Sequence, residues 1–244
     1  MPEHTLVPVL IILFFSTLTR STFGFGDAML AMPLLSMVTG IHFATPLVAL
    51  VATTIAVSIL LTQWRKVDFS AAWRLIAGAF VGIPVGLIYL KTLPEPLIKG
   101  ILALVIFLFS SFNLLKRLNW HIRNENWAFL FGFTGGMLGG AYNTNGPPVI
   151  IYGTLRHWKQ ENLRATLQGF FLPSGGMILI GHAVAGLWTR EVLKGYLISL
   201  PVVLGAVLLG GYLHRKISPG VFVPVIYLLL MGISLLLAWS VVFP

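Results

Sequence analysis

The sequence predicts an all-α integral membrane protein made of two inverted-topology repeats, each a broken or re-entrant helical hairpin followed by three transmembrane helices. Three observations predict it. The composition is apolar and sparsely charged, six uninterrupted apolar segments have membrane-spanning length, and two longer apolar stretches are each interrupted by a glycine-rich run. Of the 244 residues, 57% are hydrophobic and 9% charged, and mean hydropathy is +0.91. Such a chain keeps almost no mass outside a bilayer and forms a single transmembrane domain, 1–244. Cysteine is absent, which excludes a disulfide framework and a thiolate metal site. No metal or cofactor is expected. The first apolar run follows Pro2, Glu3 and His4 without the basic stretch of a signal peptide, so it is read as structure. The net charge of +9 comes mostly from Lys and Arg in short loops, where membrane orientation requires them, and is no nucleic-acid footprint.

Repeat one, 5–115, opens with Thr5–Val38, too long for one straight helix and broken at Thr19-Arg20-Ser21-Thr22-Phe23-Gly24-Phe25-Gly26-Asp27. Spans over Phe43–Gln63, Ser70–Leu90 and Pro96–Leu115 follow. Repeat two, 126–242, opens with Asn126–Leu155, broken between Thr134 and Pro148, and continues with spans over Asn162–Leu187, Val192–Leu213 and Pro219–Val242. About 20 helical residues rising about 1.5 Å each suffice to cross roughly 30 Å of hydrocarbon. An offset of 115 superposes Phe14 on Phe129, Thr19 on Thr134, Gly24 on Gly139, Pro33 on Pro148 and His42 on His157. Interrupted segments at matching places in two halves point to a substrate site of a secondary transporter.

Loop charge decides whether the two broken stretches cross or return. If both return, one side collects Arg65, Lys66, Arg74, Lys116, Arg117, Arg123, Arg156, Lys159, Arg164, Arg215 and Lys216, which is 11 basic residues, against four (Lys91, Lys99, Arg190, Lys194) on the other. If both cross, the division is eight against seven, and Arg20 stays in the membrane either way. Orientation normally produces the uneven split. The returning model inverts the second repeat relative to the first, brings the two hairpin tips together at mid-membrane and leaves both termini on the non-cytoplasmic side of the cell membrane. Irregular backbone at that depth is tolerated only where protein or a polar cavity satisfies it.

Arg20 is the only Lys or Arg, and Asp27 the only acidic residue, deep in a membrane segment, which makes both functional candidates. Mutual neutralisation that holds the hairpin loop is the competing role. Asp27 precedes an apolar helix it can cap, which favours it for capping or as the coupling-ion or proton site over direct substrate contact. In the second break, Tyr142, Asn143, Thr144 and Asn145 offer neutral donors and Gly146 lets backbone approach closely, as Gly24 and Gly26 do in the first. Pro147 and Pro148 suit the first turn of a helix whose positive end would face an anion. Both Asn residues serving only as caps is the plainer alternative. Gln168 aligns near Thr53 and Thr54, so these spans can line the cavity from both repeats, with ordinary inter-helix hydrogen bonding equally available to them. His182 is placed at the interfacial end of its span. Trp64, Trp73, Trp120, Trp127, Trp158, Trp188 and Trp239 are read as interface anchors. The substrate-binding expectation thus rests on Arg20, Gly24, Gly26, Asn143, Thr144, Asn145, Gly146 and Gln168, with Thr53, Thr54 and Tyr142 lining the cavity.

The paired breaks, the Gly-Phe-Gly-Asp followed by Met-Pro-Leu-Leu at 32–35, and the Gly-Gly…Pro-Pro-Val-Ile of the second half resemble the TauE/SafE family of membrane permeases over nearly the whole chain. The resemblance implies transport of a small sulfur-containing anion such as sulfite, sulfoacetate or another sulfonate, often by export. Phe25 and Asp27 stand where family members commonly carry a denser glycine cluster. Alternating access, proton coupling and a homodimer complete this expectation, with the lipid bilayer as partner and no nucleic acid.

Two other classes compete. Gly24-Phe25-Gly26-Asp27 matches the G-x-G-D string of intramembrane aspartyl proteases, but that chemistry needs a second buried carboxylate, and none lies within a span. Ser174 lacks the G-x-S-x-G elbow, and there is no H-E-x-x-H. An enzyme is not expected. A gated anion channel is the remaining alternative, since two hairpins meeting at mid-membrane also build pores.

Overall fold

The computed structural model describes residues 3–63, 69–115, 121–158, 160–214, 216 and 219–242. Arg65, Lys66, Lys116, Arg117, Lys159 and Arg215 of the predicted charge bias, with Trp64 and Trp120, lie outside the described residues. The described chain is all-helical: α1 (Glu3–Phe23), α2 (Asp27–Thr39), α3 (Ile41–Gln63), α4 (Phe69–Thr92), α5 (Glu95–Leu115), α6 (Trp127–Tyr142), α7 (Gly146–Leu155), α8 (Gln160–Val184), α9 (Arg190–His214) and α10 (Pro219–Val242). No strand occurs among the described residues.

Seven helices are long and apolar enough to cross a membrane. That is one more than the six uninterrupted spans expected, because α1 stays helical for 21 residues before its break. Many large apolar side chains point outward, with Val184 85% and Leu208 77% exposed. A surface of this kind suits a lipid solvent and not water.

The helix pair α6–α7 doubles back. Glu125, just before α6, accepts from Arg156, just after α7, at 3.3 Å, and from Arg74 of α4 at 2.7 Å. Arg156 Nη1 also donates to the carbonyls of Ile122 and Arg123, and the Ile122 amide to the carbonyl of Leu155. The chain therefore leaves this pair at the end where it entered, as the uneven loop charge predicts for the second broken stretch.

Packing partners exchange when the two halves are exchanged. α4 lies against α6 and α8, and α9 lies against α1 and α3, while α3 meets α8 and α5 meets α10. The contact between α4 and α6 is the most extensive of these, for a reason written in the sequence. Gly78, Gly82 and Gly86 of α4 face Gly132, Gly136 and Gly140 of α6, and a Cβ on any of them would run into the opposite backbone. Each helical glycine costs about 1 kcal/mol in propensity, which the close approach of two backbones offsets in lipid.

The register of the halves differs from the one read off the sequence. Asp27 and Gly146 begin α2 and α7, and Ile41 and Gln160 begin α3 and α8, in both cases 119 positions apart. The offset of 115 falls one helical turn short, and it would put Gly24 opposite Gly139, inside α6. Arg20 and Asp27 correspond instead to Gly139 and Gly146, so the second half has no copy of this charged pair.

Candidate functional site

The first break exists because glycine permits it. Gly24 and Gly26 have φ of 93° and 100°, a region that L side chains avoid. The chain turns over Gly24–Gly26 and restarts as α2 at Asp27. The second break uses asparagine. Asn143 takes φ 55°, its amide donates to the Gly139 carbonyl at 2.7 Å, and the Thr144 amide donates to the Leu138 carbonyl at 3.2 Å. The bond from Asn143 to Gly139 makes this an αL cap, in which Asn is the usual substitute for Gly.

α8 brings the two breaks to one level. Gln168 Nε2 donates to the Gly24 carbonyl at 3.0 Å. Asn145 Nδ2 donates to Ser174 Oγ at 3.0 Å, and Ser174 donates in turn to the Phe170 carbonyl at 2.6 Å. Between them, the Arg20 guanidinium lies 4.7 Å from the centroid of the Phe171 ring. Gln168 and Ser174 are separated by about 9 Å along a helix rising about 1.5 Å per residue, and they flank Leu172, the middle of the 25-residue α8. Both breaks therefore sit at mid-height of a spanning helix and line one pocket, together with Thr53 of α3 and Phe171 and Gly175 of α8.

Charge in this pocket comes from one ion pair. Arg20 Nη1 donates to Asp27 Oδ2 at 2.7 Å, with the two residues 3% and 8% exposed. Arg20 Nε and Nη2 have no protein partner, and neither does the amide nitrogen of Asn143. A buried guanidinium with two unused donors is costly in protein alone and suits an oxyanion. The N-cap of α2 is Gly26, with no side-chain capping bond, so Asp27 does not cap the helix it begins. Its carboxylate goes to Arg20, and the first-turn amides of Asp27, Ala28 and Met29, which have no intrahelical acceptor, lie along the pocket. α7 offers less than its sequence suggests, because Pro147 and Pro148 remove two of its first N–H groups. The donor-rich helix start in the pocket is that of α2.

A family model described as Sulfite exporter TauE/SafE matches residues 9–237. The chain belongs to this family. Among curated relatives, it is 28% identical over 231 residues to the "Probable sulfite/organosulfonate exporter TauE" of Cupriavidus necator, covering 91% of this chain and 87% of that protein. No solved structure matches. As a TauE/SafE member the chain is a multi-pass membrane transporter and not an enzyme.

Of the residues singled out in this TauE/SafE sequence, Arg20, Gly26, Asp27, Thr53, Asn143, Thr144, Asn145 and Gly146 line the pocket. Four stand elsewhere. Gly24 and Gln168 bond each other behind the pocket wall. Thr54 shares a 2.8 Å hydrogen bond with the Tyr196 hydroxyl, tying α3 to α9. Tyr142 is buried at the end of α6. Sequence reasoning also placed His182 at an interface, whereas the structure seals it, fully buried, in the last turn of α8. Trp158 packs edge-on against Tyr152 and is only partly exposed, unlike Trp73, Trp127 and Trp239. The lining residues missed were Phe25, Ala28, Met29, Ala52, Pro147, Ile150, Phe171 and Gly175. Phe171 and Ser174 could have been found from Gln168, since steps of three residues place all three on one helix face.

Proposed function

We propose that the chain is a secondary carrier moving a small sulfur-containing oxyanion, sulfite or a sulfonate such as sulfoacetate, across the cell membrane by proton-coupled alternating access. The anion is held between the two breaks. One observation carries this reading: both interrupted helix pairs reach the same mid-height pocket, where Arg20 turns two donors without protein partners towards a site framed by the start of α2 and by Asn143. Oriented donors of this kind replace the hydration shell of an anion. Asp27 fixes the guanidinium rather than meeting substrate. Gln168 and Ser174 act as positioning residues, each holding one break against α8. The inverted-repeat topology, with repeats at 5–115 and 126–242, is supported by the exchange of packing partners and by the returning α6–α7 pair, while the reading of both termini as non-cytoplasmic rests on loop charge. The name of the Cupriavidus necator relative puts sulfite and organosulfonates first among substrates to try.

Purified protein in liposomes tests this with labelled sulfite. A carrier gives flux that saturates and is accelerated by unlabelled sulfite on the opposite side. Flux that rises without saturation and shows no counter-exchange identifies a gated channel, and no flux of sulfite, sulfoacetate or other sulfonates rejects the substrate class.

A further inference from the structure

The pocket between the two breaks holds one positive and one negative charge, and they cancel. Arg20 Nη1 donates to Asp27 Oδ2 at 2.7 Å, and these two are the only ionisable side chains among the described residues that line the pocket. The rest of the lining is neutral, polar at Thr53, Asn143, Thr144 and Asn145 and apolar at residues such as Met29 and Phe171. The start of α2 adds the equivalent of about half a positive charge. Such a site can balance one negative charge on a ligand. A second one has no cation left to oppose it, faces the Asp27 carboxylate, and raises the cost of leaving water, which grows with the square of the charge.

Among the described residues, the helices packed on α1 and α2 bring no further charge to this point. Glu3 and His4 of α1 and His42 of α3 lie in the first turns of their helices. At the start of α5, Glu95 is engaged by Lys99 at 2.9 Å and by the Ile41 amide at 3.1 Å. α9 carries Arg190, Glu191 and Lys194 in its first two turns, while its Tyr196 and Tyr212 are engaged by Thr54 and Lys216. His214, at the end of α9, meets the Thr22 carbonyl and does not line the pocket. α10 contributes Tyr227, whose ring stacks on Phe25 at 6.2 Å. α8, which holds both breaks, has no ionisable residue from Thr166 to Gly181.

We propose that the site admits only singly charged oxyanions, with Asp27 as the residue that excludes a second charge. Sulfite then enters as hydrogensulfite, a form it takes up near neutral pH, and the proton crosses the membrane on the substrate. One proton moves with each anion in the same direction and is released on the far side as hydrogensulfite re-equilibrates with sulfite. This rests on the carrier reading above and gives its proton coupling a source outside the protein. A simple sulfonate has no such proton and moves uncoupled. Sulfoacetate, whose carboxylate adds a second charge, ranks below methanesulfonate.

Methanesulfonate and sulfate are nearly alike in size and shape and differ by one charge, so together they separate charge from fit. In calorimetry on the purified wild type at neutral pH, sulfate should bind at least about 100-fold more weakly than methanesulfonate, as like charges brought together require. On the alkaline side, affinity for total sulfite should fall about tenfold per pH unit relative to methanesulfonate, because only the protonated fraction is competent. Protein groups that titrate act on both ligands, and the ratio cancels them. In liposomes, accumulation of labelled methanesulfonate should follow the membrane potential and ignore an imposed pH gradient. In Asp27→Asn the gap between sulfate and methanesulfonate should narrow at least about tenfold, and the wild-type measurements decide alone if that variant does not fold. Four results each overturn the proposal and leave the carrier in place: sulfate binding as well as methanesulfonate, a sulfite-to-methanesulfonate ratio indifferent to pH, methanesulfonate accumulation driven by the pH gradient, or a folded Asp27→Asn with the gap intact. Absence of binding by both sulfite and methanesulfonate removes the carrier reading and the proposal with it.

Discussion

Arg20 and Asp27 lie seven positions apart on opposite sides of a helix break and meet at 2.7 Å, with the Arg20 Nε and Nη2 groups left unpaired in protein. The carboxylate engages one nitrogen of the guanidinium, and the other two are available to a ligand.

Separate roles for the two charges follow. Breaking a buried pair by removing one partner costs about 3–5 kcal/mol, while removing both relieves most of that cost. Arg20→Gln and Asp27→Asn should each lower the melting temperature in detergent, and the double variant should recover it. Sulfite binding should stay absent in the double variant. Recovery of binding together with stability would reduce the pair to a structural clip.

The two asparagines of the second break should differ. Asn143 presents an unpartnered amide to the pocket, and Asn145 spends its own on Ser174. Asn143→Gly keeps the left-handed turn while deleting the amide, and should weaken sulfite binding by about 10- to 150-fold, the value of a hydrogen bond to a charged group. Asn145→Ala should instead cost about 1 kcal/mol of stability. Equal affinity in Asn143→Gly and wild type, measured by calorimetry, would remove Asn143 from the site.

Gly82→Val should prevent folding or give a protein that aggregates on extraction, because its Cβ runs into the backbone at Phe133 and Met137. Gly100→Val, with nothing within 4 Å of its Cβ, should be tolerated. Comparing monodisperse yield after extraction checks both, and a well-behaved Gly82→Val would refute the close seam.

Topology can be read with a reporter fused after Pro244. If both termini are non-cytoplasmic, a reporter active only in the cytoplasm should be silent. Activity there would reverse the orientation assigned from loop charge.

The architecture was legible wherever it depends on length and composition. All six uninterrupted segments became helices with edges within three residues of those expected, since apolar runs and their flanking charges state where a helix can sit in lipid. The breaks were legible because glycine, asparagine and proline carry backbone instructions. The repeat register was misread by one turn because matched Phe, Thr and Gly residues are common in any apolar segment. The capping role expected of Asp27 failed because a longer-range partner, Arg20, outcompeted the local amides, and only coordinates reveal that choice. Met29 and Ile150 could not be told from lipid-facing residues, since a pocket wall and a bilayer demand the same side chains. The Gly78–Gly82–Gly86 series did carry a visible signal, its four-residue spacing, that pointed to close helix approach.

That spacing also limits how the molecule can move. Two helices notched against each other at three successive levels should resist gliding by a fraction of a turn, because an offset would bring side chains next to the glycines against the opposite backbone. The smallest slip that re-engages the notches is four residues, about 6 Å at the helical rise. In a carrier that alternates access, α4 and α6 are then expected to travel as one beam. The seam between α1 and α9, where Gly210 supplies a single notch against Leu18 and Ser21, is then the one expected to yield. Cross-links across the first seam should be silent through a transport cycle, and cross-links across the second should jam it.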